Sequence, residues 1–375
     1  MMCAQTDISW IRQIDKVHGR YIMKKKILLV DYYGTCDEKG KPIGHSAKVL
    51  KEYSELIKDK FEIGAAISPC LRSNIDNIEH IYTLKYDIRA DRTNSIFHRI
   101  LDKFKLFANI RQVLKIKGYD IIWFYRTDFF LFLYFFLHRK RRKEKMISQI
   151  YQDKFSTGFV GKILNFIYYK GASRFDGQIF TQPGMNNRFP GALYIPDYYY
   201  DEEKYGVYKG KNKIDKFVCL GTMNPYKKLE ELVDVFNKNG KKLDIKGYFY
   251  SEDRFQKLLK IKNDNIIIEN KILSEQEYYD SLAEAKYSIL PYDMDQYNGR
   301  TSGILQESLF MDAVIVAPCL LLEQNDIAGI GYDRLDDLID FDNFEKKNYV
   351  DRRDWMRKYD KNVIKNKVQE FFNNL

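Results

Sequence analysis

The chain alternates short apolar runs with amphipathic stretches, and this alternation restricts its fold more than any other feature. Largely apolar runs occur at residues 26–32 (KILLVDY), 120–125 (DIIWFY) and 313–317 (AVIVA). Such runs are typical of strands that are covered on both faces of a sheet. The stretches between them carry apolar residues at helical spacing. Strands that alternate with helices predict an α/β fold with parallel sheets.

The chain of 375 residues is long for one hydrophobic core and predicts two α/β domains. Helical and strand periodicity is lost in the polar segment 197–214, so we expect the domain boundary there. A first domain is expected at 23–196 and a second at 197–350, with a charged terminal helix at 351–375 that packs back across both. Residues 1–22 are polar and broken, and we expect them to be an extension before the first strand.

Cysteine and histidine usage argues against a disulfide framework or a metal centre. The chain has five cysteines and five histidines, all scattered, and no CxxC pair. A reducing, cytoplasmic compartment is therefore expected. No secretory signal is visible in the polar residues 1–22.

The formal net charge of +10 favours phosphate-bearing partners, which include nucleotides, nucleic acid and acidic lipid. No basic-aromatic module such as an RRM or KH pattern occurs, so nucleic acid is not expected. Part of the charge lies in residues 138–145 (HRKRRKEK), directly after the apolar run 129–137 (FFLFLYFFL). That run is far shorter than the ~20 residues of a membrane-spanning helix. Two interpretations remain: a buried helix with a solvated charged end, or a helix half inserted at a lipid surface.

Two helix predictions can be tested residue by residue. Residues 97–116 are expected to form a helix with Ile100, Leu101, Phe104 and Phe107 on one apolar face. The pair Ser274 and Glu277 predicts a capping box at the start of a later helix.

The segment 298–303 (NGRTSG) lies between a predicted strand and a predicted helix. Gly299 and Gly303 allow a sharp turn and a close approach to a ligand. Thr301 or Ser302 can cap the helix, whose free first-turn amides form an anion site. Arg300 adds a planar, doubly donating group that suits phosphate. An ordinary capped turn is the alternative.

The segment 221–228 (GTMNPYKK) occupies a similar place, at the exit of a strand and the start of a helix. Lys227 and Lys228 fall at the first helical turn, where a positive charge opposes the helix dipole and indicates a bound anion. Two exposed lysines are the alternative. Glu307 follows NGRTSG in the next helix and can accept hydrogen bonds from sugar hydroxyls such as a ribose diol, although alone it also fits a surface position.

In this order the segments resemble the second domain of the retaining GT-B glycosyltransferases of family four. Gly221 and Lys227 match the family's opening Gly and Lys, and Gly247 matches the glycine that ends its next strand. The family then has a Glu, seven residues and a second Glu, and the second aligns with Glu307. The resemblance is good over residues 216–320 and only general over 24–195. It implies a GT-B architecture of two Rossmann-like domains that face each other across a cleft.

The sequence departs from the family pattern at three places. Thr222 stands where the family has an Arg, Gly299 replaces the first Glu, and Trp123 and Tyr125 occupy the region of the family's His. Arg300 is a candidate to replace the lost positive charge.

The resemblance implies metal-independent, cofactor-independent sugar transfer from a nucleotide-diphosphate sugar, with retention of configuration. On that basis Lys227 and Arg300 would hold the diphosphate and Glu307 the ribose. The remaining donor-side candidates are Gly221, Thr222, Lys228, Gly247, Gly299, Thr301, Ser302 and Gly303.

On the acceptor side the candidates are His45, Arg126 and Asp128, chosen by position near the loop 34–44 and the end of the strand 120–125. The acceptor is expected to be a glycan or a lipid-linked glycan at the inner membrane face, as in surface-polysaccharide synthesis. Two alternatives stay open. One is another nucleotide-sugar enzyme on this scaffold, such as an epimerase or a pyruvyl transferase. The other is a non-catalytic GT-B subunit that binds a partner or glycan.

Overall fold

The computed structural model describes residues 16–17, 20–21, 24–37, 39–42, 46–75, 77–89, 96–138, 142–151, 158–183, 189, 191–300, 302–348 and 355–375. These residues form two α/β domains, one around a seven-stranded sheet and one around a six-stranded sheet. Every strand pair within the two large sheets is parallel. The predicted α/β fold class is confirmed.

The extension and the first domain together contain eleven strands and four α-helices among the described residues, with β1 and β2 in the extension. The strands are β1 (Lys16–Val17), β2 (Arg20–Tyr21), β3 (Lys26–Asp31), β4 (Thr35–Cys36), β5 (Glu62–Ile67), β6 (His80–Thr83), β7 (Ile88–Arg89), β8 (Ile121–Phe124), β9 (Lys145–Ile150), β10 (Gly177–Phe180) and β11 (Leu193–Tyr194). The helices are α1 (Ser46–Ile57), α2 (Ile96–Val113), α3 (Phe129–Leu137) and α4 (Gly158–Ala172). The large sheet has the order β11-β10-β9-β8-β3-β5-β6, while β1–β2 and β4–β7 form two small separate pairs.

Helices cover both faces of this first sheet. Helix α1 packs on one face, and α2, α3 and α4 lie side by side on the other. Helix α3 is the apolar run FFLFLYFFL, and five of its nine residues are buried. The buried-helix interpretation of this run is confirmed, and α3 is not a surface helix.

The second domain alternates strands and helices in the same way. Its strands are β12 (Ile214–Leu220), β13 (Leu243–Gly247), β14 (Ile266–Asn270), β15 (Ala285–Ile289), β16 (Val314–Pro318) and β17 (Ile330–Tyr332). Its helices are α5 (Glu202–Tyr205), α6 (Leu229–Asn239), α7 (Glu252–Ile261), α8 (Glu275–Glu284), α9 (Met294–Tyr297), α10 (Gly303–Phe310), α11 (Cys319–Asn325) and α12 (Phe341–Asn348). The sheet order is β14-β13-β12-β15-β16-β17. Ser274 and Glu277 form the predicted capping box at the start of α8.

The C-terminal segment is two helices rather than the single one expected over 351–375. Helix α13 (Trp355–Tyr359) and helix α14 (Lys361–Asn373) are separated at Asp360, whose carboxylate accepts hydrogen bonds from the first-turn amides of α14. Tyr359 packs in a core of the second domain, whereas Val368 and Phe372 pack in the core beneath α1 in the first domain. The terminal segment therefore contacts both domains.

Candidate active site

The segment 221–228 and the end of β13 are pressed together by two glycines. Gly221 has φ 92°, and a Cβ atom added at Gly247 would lie 1.6 Å from the carbonyl oxygen of Gly221. No side chain fits at Gly247 without displacing the backbone. This close approach fixes the loop that follows β12 across the carboxyl end of β13.

Lys227 is buried, not exposed as the alternative interpretation expected. Its side chain is 3 % exposed, and its Nζ donates to the carbonyl of Leu220 at 2.7 Å and lies 3.9 Å from the sulfur of Met223. Among the residues that the structure describes, no carboxylate lies within ion-pair distance of this ammonium. An ammonium has three protons to donate, so Lys227 retains donor capacity for an anion.

Arg300 and Lys227 both lie beside one group of tyrosine rings. Tyr292 and Tyr297 are stacked in parallel with their ring centroids 4.0 Å apart. The Nζ of Lys227 is 5.8 Å from the centroid of Tyr292, and the guanidinium carbon of Arg300 is 5.8 Å from that of Tyr297. It is also 4.8 Å from the ring of Tyr226. Both cations therefore lie beside the stack of Tyr292 and Tyr297.

The Arg300 guanidinium has an unused donor. Its Nε is buried and has no hydrogen-bond partner within the part of the chain that the structure covers. The backbone carbonyl of Arg300 accepts a hydrogen bond from Gln182 of the first domain, which ties the turn 298–303 to the loop after β10. An unpaired buried donor beside the same tyrosine stack as Lys227 is a second group that an anion would satisfy.

The other described residues of the turn 298–303 contact neighbouring side chains. Gly299 has φ 74°, and its N–H donates to the side chain of Gln324 at 3.1 Å. Ser302 was expected to cap α10, but its hydroxyl is 3.1 Å from that of Tyr292 and makes no cap bond. Gly303 begins α10 against the ring of Tyr198. Thr301 lies outside the described residues.

Two further donor-side candidates, Thr222 and Lys228, belong to the same segment as Lys227. Thr222 follows Gly221 in the loop and is partly exposed. The Nζ of Lys228 is 3.8 Å from Glu231 and its side chain is 41 % exposed, so this lysine has the surface position that Lys227 does not have.

Glu307 is buried in α10, and its carboxylate is already occupied. It accepts hydrogen bonds from the hydroxyls of Tyr278 at 2.7 Å and Tyr279 at 2.9 Å, and from the Nζ of Lys48 in the first domain. Burial raises the pKa of Tyr278 and of Tyr279, and the charge of Glu307 raises both further, so both phenols stay protonated and donate. The carboxylate expected to hold ribose joins the two domains in this conformation.

Lys48 is the centre of this domain contact. Its Nζ donates to the hydroxyl of Tyr279 at 2.7 Å and lies 3.7 Å from the ring centroid of Tyr198. Glu52, one turn further along α1, lies 4.0 Å from Lys48 and 2.9 Å from Lys204. Burial raises the pKa of Glu52. Nothing in the sequence marks Lys48, because Lys48 and Glu52 read as an ordinary pair on one helix face.

On the first-domain side, Arg126 and Asp128 follow β8, but they have different surroundings. Arg126 lies 3.6 Å from the fully buried Asp31 and 4.9 Å from the ring of Tyr33. Asp128 caps α3, accepts from the hydroxyl of Tyr32 at 2.5 Å, and has its pKa raised by burial. The carboxylate of Asp128 is therefore already used to cap α3.

Trp123 and Tyr125, which occupy the region of the family's His, are both buried. Trp123 is fully buried and stacks on Tyr53, and the hydroxyl of Tyr125 is 3.3 Å from Asp31. Neither ring occupies an open surface. His45 lies outside the described residues.

Comparisons with known proteins agree on the fold. No family model and no curated sequence matches the chain. Solved structures do match, among them HepE from Anabaena in complex with UDP-glucose, with a TM-score of 0.62, 13% identity and coverage of 93% of this chain and 100% of that one. AviGT4, a glycosyltransferase involved in avilamycin A biosynthesis, has a TM-score of 0.58 and 12% identity, with 93% and 97% covered. A UDP-forming α,α-trehalose-phosphate synthase from Burkholderia vietnamiensis has a TM-score of 0.60 and 8% identity, with 94% and 100% covered.

The chain has the GT-B fold. Within that fold, the loops at the carboxyl ends of the two sheets face the space between the domains, and ligands of parallel sheets bind at such ends. Lys227 and Arg300 follow β12 and β15 at this edge, and Arg126 follows β8 at the opposite one. The GT-B cleft therefore brings Lys227 and Arg300 together at one end, while Glu307 lies in a neighbouring contact closed by Lys48.

Proposed function

We propose that the chain is a glycosyltransferase that moves a sugar from a nucleotide-diphosphate sugar to a hydroxyl acceptor. The observation that carries this proposal is the pair Lys227 and Arg300. Both cations lie at the GT-B cleft beside the tyrosine stack, and neither has a carboxylate partner among the described residues. A diphosphate is the anion that matches two neighbouring cations with unused donors.

The chemistry follows from where charge develops. When the bond between the sugar and the diphosphate breaks, negative charge grows on the leaving diphosphate. Lys227 is held in place by the Leu220 carbonyl, and Arg300 by the rings of Tyr226 and Tyr297. Preorganised cations in a partly dry site stabilise that charge without reorganising. We propose that they do so without a metal ion.

Glu307 has a conditional role in this proposal. The ribose hydroxyls of the donor compete with Lys48 for its carboxylate, because Tyr278, Tyr279 and Lys48 occupy both oxygens in the described conformation. We propose that donor binding at the ribose end displaces Lys48 from Glu307. The diphosphate end needs no such rearrangement.

The acceptor is proposed to be a glycan or lipid-linked glycan bound by the first domain near Arg126, with retention of configuration and a role in surface-polysaccharide synthesis at the membrane. The resemblance of residues 216–320 to family four supports retention. None of the described helices is long and apolar enough to span a bilayer. Proton NMR of the anomeric signal of the first product tests retention directly.

A second candidate is a non-catalytic GT-B subunit. The occupied Glu307, together with Gly299 in place of a family Glu and Trp123 and Tyr125 in place of the His, favours it. It predicts donor binding without hydrolysis or transfer.

A thermal-shift screen of nucleotide-diphosphate sugars tests the donor site, since a ligand stabilises the folded state according to its concentration and affinity. We expect at least one nucleotide sugar to raise the melting temperature of the unaltered chain and of Lys238→Met, but not of Lys227→Met. Lys238 is a matched control because it is exposed and paired with Asp234.

The donors that bind are then incubated with and without glycan acceptors, and products are identified by mass spectrometry. Transfer supports the proposal. Binding without any turnover supports the non-catalytic candidate. A chain stabilised by no nucleotide sugar, or equally in Lys227→Met, contradicts the donor-site assignment.

A further inference from the structure

Two helices of the first domain expose apolar stripes. In α2 the exposed residues are Phe97, Ile100, Leu101 and Phe104. In α4 they are Phe159, Val160, Ile163 and Phe166. Phe97 is 71% and Phe159 79% exposed, although the spacing of both stripes is the one that normally faces a core. Two stripes of this size on one side of a domain indicate a binding surface.

The stripe of α2 lies in its N-terminal half, and the stripe of α4 lies within the first nine of its fifteen residues. The apolar residues buried in the core follow towards the C-terminal ends, Leu106, Ile110 and Val113 in α2 and Tyr168 and Ala172 in α4. The 18 residues of α2 extend for about 27 Å, whereas the four residues of β8 span about 13 Å and the six residues of β3, β5 or β9 about 20 Å. Helix α2 is therefore longer than the strands of its sheet.

The direction of the helices places both stripes at the cleft. Helices α2 and α4 connect the carboxyl end of one strand to the start of the next, so each begins at the carboxyl edge of the sheet. They flank α3, whose start follows Arg126 at that same edge. The exposed stripes thus adjoin the part of the first domain proposed to receive the acceptor.

The surroundings of the stripes are basic. Helices α2 and α4 contain six Lys or Arg residues and one acid, Asp102, which is 2.9 Å from Lys105. An open groove of about 490 Å³ begins at Phe104 and is lined by Lys85, Arg111 and Lys115. Aromatic residues next to basic ones, with almost no acid, match the interface of an anionic bilayer.

We propose that the exposed apolar stripes of α2 and α4 dock the protein on an anionic lipid bilayer. The stripes enter the boundary between headgroups and acyl chains, and the basic groove binds headgroup phosphates. A second copy of the chain fits less well, because a symmetric contact would place one basic surface against another. The inference deepens the membrane part of the proposed function by naming the surface and the lipid charge, and it does not depend on the donor site.

Vesicle flotation of the full chain tests this surface. We expect binding to phosphatidylcholine vesicles that contain phosphatidylglycerol, and much weaker binding to phosphatidylcholine alone. The double variant Phe104→Glu/Phe166→Glu is expected to lower the partition coefficient at least about tenfold, because it removes apolar area and adds repelled charge. The control Val207→Glu/Ile267→Glu adds the same charge at exposed apolar positions of the second domain and is expected to bind as the unaltered chain does.

Three outcomes would overturn the proposal: no binding to either vesicle, equal binding of the Phe104→Glu/Phe166→Glu variant, or a dimer in sedimentation velocity that this variant dissociates. Lys227→Met separates the two proposals, because it is expected to lose donor stabilisation and to keep vesicle binding. A Lys227→Met protein that no longer binds the donor but still floats with vesicles agrees with both proposals. An unaltered chain that binds the donor but does not float rejects the membrane surface alone.

Discussion

Lys227 and Lys48 are two largely buried lysines at neighbouring places in one GT-B molecule, and their partners differ. Lys227 donates to a backbone carbonyl and lies against a thioether sulfur. Lys48 donates to the carboxylate of Glu307 and the hydroxyl of Tyr279, and lies over the ring of Tyr198. One lysine lacks a negative partner among the described residues and the other has one.

This difference separates an open anion site from a closed domain contact. A buried charge without a partner costs folding free energy, so its presence at a cleft points to an anion supplied from outside. A buried charge with a carboxylate partner is satisfied without any ligand. In the proposed donor site, the diphosphate end at Lys227 is therefore preformed, while the ribose end at Glu307 is closed by Lys48.

The largest effect is expected from Lys227→Met. Loss of a cation at the leaving diphosphate should lower turnover by about 10²- to 10³-fold. Folding should be kept, because an unpaired buried ammonium is replaced by an apolar side chain of similar length. Steady-state kinetics with circular dichroism as the folding check, and Lys238→Met as the control, measure this. Full turnover in a folded Lys227→Met protein would remove the distinction between the two lysines.

Glu307→Gln tests the other member of the comparison. It leaves the ammonium of Lys48 without its carboxylate, and we expect a loss of about 2–4 kcal/mol in the free energy of unfolding. Urea denaturation of Glu307→Gln, Lys48→Met and the double variant forms a cycle. A coupling energy of about 1–3 kcal/mol is expected for residues in contact. Additive effects would mean that the cross-domain pair contributes nothing.

The donor affinity of Lys48→Met sharpens the same point. If ribose hydroxyls compete with Lys48 for Glu307, this variant binds the donor more tightly than the unaltered chain, measured by calorimetry. Weaker donor binding would instead assign Lys48 to the donor site itself.

Arg300→Lys is expected to have a smaller effect, about a tenfold loss in kcat/KM, because the charge is kept while the planar double donor and its contact with Tyr226 are lost. Arg334→Lys is the matched control, since Arg334 is exposed and paired with Asp336. An unchanged kcat/KM in Arg300→Lys would show that its buried Nε has no part in donor binding.

The smallest effect concerns a pair near the surface, Arg142 and Glu144. A hydrogen bond from Arg142 lowers the pKa of Glu144 to about 2. The pair therefore stabilises the folded state above the unfolded pKa of about 4.3, and this stability is lost as the pH falls through about 2. We expect Glu144→Gln to cost less than about 1 kcal/mol at neutral pH. Urea denaturation across this pH range should show the difference in unfolding free energy between the unaltered chain and Glu144→Gln shrinking in acid. A difference that does not change with pH would contradict this prediction.

The basic run 138–145 shows how much the sequence left open. Arg142 donates to the carbonyls of Leu114 and Ile116 as well as to Glu144, so its charge serves the end of α2. Residues 139–141 lie outside the described residues. The run as a whole therefore gave no direct indication of the basic surface beside α2.

The apolar helices show the same limit more clearly. Residues 129–137 are the most apolar segment, and the structure buries them as α3. On the predicted apolar face of α2, Phe107 packs against the core, whereas Ile100, Leu101 and Phe104 are exposed. Spacing identifies an apolar face, but only the neighbouring elements decide whether that face meets a sheet. Here α2 is longer than the strands of its sheet, and its N-terminal half leaves this face exposed.

In the second domain the sequence was more informative, because the candidate site residues follow strand ends within short segments. Gly221, Lys227 and Gly247 were found from local pattern, and the structure places them at one sheet edge. The capping box at Ser274 is equally local. Patterns of this kind need only a few consecutive residues to specify their geometry.

The α/β class, the parallel sheets and the order of the segments with the candidate donor residues follow from the amino-acid sequence alone, since they depend on periodicity and on turns that require glycine. Which charges are paired depends on the folded molecule. Lys48 and Glu307 are separated by 259 positions along the chain, and their contact exists because two domains bring α1 against α10. Burial and charge pairing depend on such distant neighbours, so the open state of Lys227 and the closed state of Glu307 become visible only in the folded molecule.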